Sequence, residues 1–166
     1  MAGYLTAIKM IELKEIKAIP TLMRWRAEVI RNVFGVVPDK RLLVANRQYY
    51  TRHIADGTHL AFVATVDGEE AACGAICLTE ELPSPDNPSG RNAYLMNIYV
   101  REAFRHRGVA HSIVSRLIEE AKTRNCNKIY LETTPAARSV YSSLNFHPMP
   151  DMMQHHDNFI PSPTHP

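Results

Sequence analysis

The sequence lacks the features that mark several large classes of protein. Its 166 residues include 19 basic and 17 acidic side chains, without the clustered positive charge that nucleic-acid binding normally requires. The longest apolar runs, at 42–45 and 71–78, are far shorter than the roughly 20 residues needed to span a bilayer. The first residues lack the basic and apolar stretches of a secretory signal. We therefore expect no nucleic-acid partner, no membrane partner and a cytoplasmic location.

Cysteine is also scarce. Cys73, Cys77 and Cys126 are odd in number and so cannot all form disulfides, and none has the C-x-x-C spacing of a zinc or redox site. The first two fall in an apolar segment, where a buried, inert thiol is more common than a reactive one. We predict reduced cysteines without a functional role, and no metal site.

The composition is typical of one globular domain, with 45% apolar and 22% charged residues. The length is sufficient for one hydrophobic core and short for two. Residue patterns predict a mixed α/β protein. The predicted strands are 7–13, 60–66, 71–78, 93–100 and 128–133, and the predicted helices are 19–34, 39–55, 110–121 and 135–144. Residues 146–149 are compatible with a final strand, and 150–166 with a loosely ordered tail.

Three local patterns add detail. The run Asp67-Gly68-Glu69-Glu70 predicts a hairpin between two strands. The proline-containing stretch 80–92 predicts an exposed loop with little that packs, which could border a site. The first helix should bury Leu22, Met23, Ile30, Val33 and Phe34, and Arg26 lies on the same stripe. Its charged head either escapes to solvent or binds an anion.

The most informative segment is residues 97–110. The strand end Asn97-Ile98-Tyr99-Val100 leads into a basic loop, residues 101–108, which opens the strongest predicted helix. A helix N-terminus presents unpaired N–H groups and a positive dipole end, which suit phosphate oxygens. Gly108 permits close approach of the backbone, and Arg105 and Arg107 add positive charge. The loop lacks the Lys-Ser/Thr ending of a nucleotide P-loop and the three glycines of a dinucleotide site.

These segments resemble the GNAT acyltransferase superfamily, in which a strand ending in hydrophobic-x-Val precedes a Q/R-x-x-G-x-G/A loop. Here the two motifs are Ile98-Tyr99-Val100 and residues 105–110. A second region, 131–146, is similar to the family's fifth strand and the helix after it. The resemblance covers residues 60–146. It implies a single-domain GNAT fold over 1–149, with a mostly antiparallel sheet, a central parallel strand pair that splays apart, and about four flanking helices.

The resemblance implies acetyl-coenzyme A as co-substrate. The pantetheine arm would lie between the splayed strands, with the Ile98 N–H polarising the thioester carbonyl and Val100 binding a pantetheine amide. Thr134 occupies a position where many relatives carry a pantetheine-binding Asn. The pyrophosphate would be held around the loop by Arg105, His106, Arg107, Gly108, Val109 and Ala110.

The resemblance also implies catalytic roles. Tyr141 matches the general acid that protonates the departing thiolate, and Asn145 replaces the Gly that usually follows that helix. The expected base positions on the fourth strand hold Tyr94 and Met96, which are unsuitable. Three sources of the base stay open: Glu132, a chain of water molecules, or an acceptor whose own pKa is low.

Two residues are candidates for binding the acceptor. Asn97 faces away from Ile98 by strand alternation, and either anchors a strand bulge or contacts the acceptor. Arg26 either extends to solvent or binds a carboxylate of the acceptor. The loop 80–92 and the two N-terminal helices are expected to shape the acceptor pocket.

We thus expect an N-acetyltransferase that acts on a small-molecule or peptide amine by direct attack in a ternary complex, because no cysteine lies where an acyl carrier is expected. A non-catalytic acyl-coenzyme A sensor and a nucleotide-binding module are the alternatives. A homodimer is also possible from the sequence.

Overall fold

A computed structural model describes residues 10–155, which form a five-stranded sheet with helices on both faces. The strands lie in the order β1-β2-β3-β4-β5, all neighbours antiparallel except the parallel pair β4 and β5. Their bounds are β1 Ile11–Glu15, β2 His59–Val66, β3 Glu69–Glu80, β4 Arg91–Val100 and β5 Lys128–Leu131. The predicted mixed α/β fold is confirmed. Of the predicted first strand, residues 7–9 lie outside the described residues, and β1 continues two residues beyond Leu13.

Four α-helices are present in the described residues, as predicted. They are α1 Ile19–Phe34, α2 Lys40–Ala55, α3 Val109–Thr123 and α4 Arg138–Ser143, with short 3-10 turns at Glu102–Phe104 and Pro135–Ala137. Gly35 ends α1 in the left-handed conformation, with a φ of 68°. Asp39 begins α2, where its carboxylate accepts a hydrogen bond from the Leu42 N–H at 2.8 Å.

The two faces of the sheet are covered differently. On one face α3 packs through Ile113 and Leu117, both completely buried, onto β3 and β4. Gly74 permits this close approach, because a Cβ there would lie 2.5 Å from Ile113 Cγ2. On the other face α1 and α2 pack through residues that include Leu22 and Tyr50. The end of α1 departs from the prediction, since Val33 and Phe34 are 40% and 57% exposed.

The hairpin between β2 and β3 forms as predicted. Asp67 and Gly68 have φ values of 51° and 84°, which is the two-residue turn whose twist matches that of the flanking strands.

The prediction for one irregular segment is right in part, and the prediction for another is wrong. The loop between β3 and β4 is mostly exposed, as predicted, but it packs around Asn87, which is only 1% exposed and whose Nδ2 donates to Glu81 Oε1 and Asn92 Oδ1. Buried amides need such partners, so the loop folds around them. No strand forms over residues 146–149, and β5 is therefore the edge strand among the described residues.

Within residues 10–155, no helix is both long enough and apolar enough to cross a membrane.

Candidate active site

A gap opens between β4 and β5. Their parallel pairing runs only from Asn92 and Lys128 to Leu95 and Leu131. Beyond this point β5 ends while β4 continues to Val100. The unpaired half of β4 therefore forms one wall of an open cleft at the carboxyl ends of the two strands.

A bulge in β4 lies beside this gap. Cys73 pairs with Tyr99 but Ala75 pairs with Met96, so two β4 residues oppose Gly74. One of them is Asn97, with a φ of 56°, as expected where a strand carries an extra residue. Asn97 faces α1 and α2, whereas Ile98 packs on the α3 side. The predicted opposite orientation of Asn97 and Ile98 is confirmed.

The backbone of β4 points donors into the gap. The Arg101 N–H donates to Ala71 O at 2.9 Å, toward β3. Hydrogen-bonding groups alternate along a strand, so we expect the N–H groups of Val100 and Ile98 to point the other way, into the gap, where β5 no longer pairs with β4. They are the donors that the sequence analysis assigned to a thioester and an amide.

The basic loop, residues 101–108, ends at an uncapped helix. His106 and Gly108 have left-handed φ values of 59° and 77°. The first helical bond of α3 runs from Ser112 N to Gly108 O, and no side chain caps the helix. Among the described residues, the N–H groups of Val109, Ala110 and His111 therefore lack partners.

Two guanidinium groups of the basic loop carry uncompensated charge. Arg105 and Arg107 are exposed, and neither forms an ion pair within residues 10–155. Arg105 Nε donates to Val100 O at 3.2 Å, and the Arg107 guanidinium lies 5.7 Å from the Phe104 ring centroid. Free cationic groups beside unpaired amides are the arrangement that binds phosphate.

The start of the basic loop is tied to α1. Arg101 donates to both carboxylate oxygens of Glu28 at 2.8 Å and lies 4.4 Å from the ring centroid of the buried Trp25. A third bond joins it to Glu70 O at 2.8 Å. No motif in the sequence indicates this anchor, because Arg101 and Glu28 lie 73 positions apart.

Tyr141 lies in the core beside the gap. It is 9% exposed and belongs to the same apolar cluster as Ile98 and Leu131. Its ring meets Phe146 edge-on at 5.9 Å. Its hydroxyl has no hydrogen-bond partner among the described residues, and burial raises the pKa of this group. Tyr141 is therefore a neutral O–H donor at physiological pH. Asn145 adopts the left-handed cap that the sequence predicts, with a φ of 66°.

The other predicted residues of β5 and its exit are exposed. Glu132 lies outside the core but near Tyr94, where burial first and the Glu132 carboxylate second raise the pKa of the Tyr94 hydroxyl. Thr134 is exposed and precedes the 3-10 turn Pro135–Ala137 without capping it.

A cavity of about 300 Å³ lies on the opposite face of β4, between the sheet and the first two helices. The half-buried Arg26 extends into it, where Nε donates to Asn46 Oδ1 at 3.1 Å and NH1 to Asn97 Oδ1 at 2.8 Å. Asn97 therefore both forms the bulge and lines the cavity. The loop 80–92 contributes no residue to the lining of this cavity. The lining residues are Arg26, Ala45, Asn46, Tyr49, Tyr50, His59, Cys77, Met96 and Asn97.

Comparison with known proteins assigns the family. The model of the acetyltransferase (GNAT) family matches residues 22–146, which is most of the chain. The chain belongs to the GNAT family.

One curated GNAT relative is glucosamine 6-phosphate N-acetyltransferase 1 of Oryza sativa subsp. japonica, which is 31% identical over 90 residues. The matched stretch is 53% of this chain and 53% of the relative, so the chain spans about half the length of that protein.

Two solved GNAT structures have the same fold. A predicted acetyltransferase from Clostridium acetobutylicum, solved with acetyl-coenzyme A, is 25% identical with a TM-score of 0.79, over 89% of this chain and 96% of that one. The glucosamine-6-phosphate N-acetyltransferase of Arabidopsis thaliana is 14% identical with a TM-score of 0.66, over 90% and 99%. The second likeness concerns the fold alone.

One polar cluster of this GNAT chain had no signal in the sequence. The Tyr49 hydroxyl lies 3.1 Å from His59 Nδ1 and 3.0 Å from Cys77 Sγ. The three residues come from α2, β2 and β3. No spacing or motif links them, so only the packing of the helix on the sheet brings them together.

Proposed function

We propose that this GNAT chain is an N-acetyltransferase that transfers an acetyl or other short acyl group from acetyl-coenzyme A to a primary amine. The observation that carries the proposal is the row of unpaired backbone donors, which runs along β4 at Ile98 and Val100 and resumes at the N-terminus of α3. Such a row matches a ligand with a reactive carbonyl, an amide-containing arm and a diphosphate. The family relationship supports the same donor.

The proposed donor site has two parts. The pantetheine arm of coenzyme A lies in the gap between β4 and β5. Its amides face β4, and Thr134 lies at the rim of the gap. The diphosphate lies on the basic loop, where the side chains of Arg105, His106 and Arg107 surround the backbone of Gly108, Val109 and Ala110. Gly108 supports this role in two ways. It adopts a left-handed φ of 77° at the turn of the loop, and it has no Cβ that would keep a ligand away from the backbone.

The chemistry follows from the groups at the gap. The acceptor nitrogen attacks the thioester carbonyl carbon, whose developing oxyanion accepts a hydrogen bond from the Ile98 N–H. The carbon–sulfur bond then breaks, and Tyr141 donates its proton to the thiolate. Its raised pKa keeps the phenol protonated until then. The amine loses two protons in forming the amide: one leaves to solvent through Glu132 or through water, and one returns to Tyr141 through water and restores its hydroxyl.

Direct transfer is favoured over an acyl-cysteine intermediate. Burial raises the pKa of all three thiols, Cys73, Cys77 and Cys126, so none is a thiolate at neutral pH. A neutral thiol is a poor nucleophile.

The named relatives suggest one specific acceptor to test. The rice and Arabidopsis proteins are named for glucosamine 6-phosphate, and we propose it as a candidate acceptor for this chain, with unphosphorylated glucosamine as the matched comparison. The second candidate function is a non-catalytic acyl-coenzyme A sensor, which is favoured by the absence of a titratable carboxylate or imidazole on β4.

Two measurements test the proposal. Isothermal calorimetry should show that acetyl-coenzyme A binds and that ATP does not compete with it, and steady-state release of free thiol should depend on an added amine. Binding without amine-dependent thiol release would favour the sensor. No binding of any acyl-coenzyme A would refute both functions.

A further inference from the structure

The cavity between the sheet and the first two helices carries a positive charge that nothing in it neutralises. Arg26 bonds there only to the neutral amide oxygens of Asn46 and Asn97, and none of the lining residues is acidic. Those bonds use two of the five N–H donors of a guanidinium. The other half-buried guanidinium in this region, Arg101, is paired with Glu28 at 2.8 Å. A partly desolvated charge without a counter-ion is unfavourable, so Arg26 is suited to an anionic ligand.

A second donor faces the same cavity. Tyr50 is 3% exposed and lines the cavity, yet its hydroxyl has no hydrogen-bond partner among the described residues. Burial raises the pKa of Tyr50 to about 12, against an opposing effect of the Arg26 charge. The hydroxyl is therefore a neutral donor close to the guanidinium. The hydroxyl oxygen is not among the buried atoms that lack a partner, so it is open to the cavity, where a bound anion can accept its hydrogen bond.

The Tyr49 hydroxyl is a third hydrogen-bond donor, because its oxygen accepts a hydrogen bond from His59. Burial lowers the pKa of His59 to about 4, so the ring is neutral at physiological pH. Its Nε2 is buried without a partner, and a buried lone pair is better tolerated than a buried N–H. The proton is then on Nδ1 and is donated to the Tyr49 oxygen at 3.1 Å. This leaves the Tyr49 O–H free to donate, either to Cys77 or to a ligand.

We propose that this cavity binds the anionic group, carboxylate or phosphate, of a small primary-amine acceptor. Arg26, Tyr50 and Tyr49 donate to the anion. The inference rests on the proposed acetyltransferase function and narrows its acceptor class. The volume of about 300 Å³ is at the lower limit of small-molecule sites, which suits a compact acceptor.

The location of the cavity suits an acceptor that reaches the acyl group. Asn97, which holds the Arg26 guanidinium, is the chain neighbour of Ile98, and adjacent Cα atoms are about 3.8 Å apart. An anion at Arg26 therefore directs an amine a few bonds away toward the carbonyl bound at Ile98. A polyamine would instead place a second cation against Arg26, which is unfavourable.

The test compares acceptors that differ only in the anionic group. β-Alanine is paired with β-alaninamide, and O-phosphoethanolamine with ethanolamine, with rates corrected for the fraction of unprotonated amine. We expect at least a tenfold higher kcat/KM for the anionic member of one pair, and that pair identifies carboxylate or phosphate. Arg26→Gln should bring the ratio close to one, mainly through KM. Arg47→Gln, an exposed residue of α2 outside the cavity lining, should keep the wild-type ratio.

Further measurements decide the proposal if Arg26→Gln does not fold or if acetyl-coenzyme A does not bind. If Arg26→Gln does not fold, Tyr50→Phe should lower the same ratio several-fold. Turnover with no preference for the anionic member of either pair would refute the anion site and leave the acetyltransferase function standing. If acetyl-coenzyme A does not bind, the proposed function fails, but calorimetry with β-alanine and O-phosphoethanolamine still decides the site. Binding of either that Arg26→Gln abolishes would support it, and no binding of both would refute it.

Discussion

The link between Arg101 and Glu28 allows a quantitative prediction. Replacing Arg101 with Met keeps an unbranched apolar side chain on Trp25 but removes the guanidinium. Glu28 then loses two hydrogen bonds of 2.8 Å, and Glu70 O loses one more. Because Arg101 begins the basic loop, the same change should loosen the proposed diphosphate site.

The expected loss of stability follows from the exposure of the pair. Hydrogen bonds to charged groups contribute about 1.5–3 kcal/mol each, whereas exposed ion pairs contribute less than about 1 kcal/mol. The Arg101 and Glu28 side chains are 31% and 23% exposed, so the pair lies between these cases. We expect Arg101→Met to lower the free energy of unfolding by about 2–3 kcal/mol. In a chain of this size, that corresponds to a fall in Tm of roughly 4–10 °C.

Arg24 provides a matched control. It also pairs with a glutamate, Glu70, at 2.8 Å and lies 5.6 Å from the ring centroid of the same Trp25. Its pair is more exposed, at 48% and 36%, so Arg24→Met should cost less than about 1 kcal/mol. Thermal and urea unfolding followed by circular dichroism measure both variants. Equal losses in the two variants would refute the argument from burial.

The same pair predicts a pH dependence. The hydrogen bond from Arg101 is the main cause that lowers the pKa of Glu28. The folded pKa is then below the unfolded value of about 4.3. The stabilisation is therefore complete above that unfolded value and is lost as the pH falls through the lower, folded pKa. Unfolding measured between about pH 2 and 6 should show this loss in the wild type, and a smaller one in Arg101→Met.

Two further predictions test the proposed donor site and its chemistry. Tyr141→Phe keeps the ring that packs on Phe146, so kcat should fall by about 10²–10⁴ with little change in Tm, and a fall of less than about tenfold would rule out the general acid. Gly108→Ala and Gly57→Ala place a Cβ at φ values of 77° and 75°, with no atom within 4 Å of either. Each should cost about 1–2 kcal/mol of stability, but only Gly108→Ala should weaken acetyl-coenzyme A binding in calorimetry. Equal affinity in the two variants would contradict the proposed contact at Gly108.

Local features of the chain were predictable where one short segment decides the structure. Gly35 ends α1 and Asp39 begins α2 because cap residues act on the backbone next to them. The turn at Asp67 and Gly68 follows from residues that tolerate a positive φ. The uncapped start of α3 and the basic loop are likewise one continuous segment, so the candidate donor site was visible in the sequence. The same local reasoning missed the burial of Asn87 within the mostly exposed loop 80–92, because its hydrogen bonds to Glu81 and Asn92 leave no periodic pattern in the sequence.

What the sequence determined by itself is the class of fold and the strand, basic loop and helix that form the candidate donor site. These depend on periodicity and on neighbours a few residues apart. The tertiary structure alone decided the rest: the anchor of the basic loop joins residues 73 positions apart, and the cavity collects Arg26, Tyr49 and His59 from three elements. Such contacts depend on how helices pack on a sheet, which no single segment encodes.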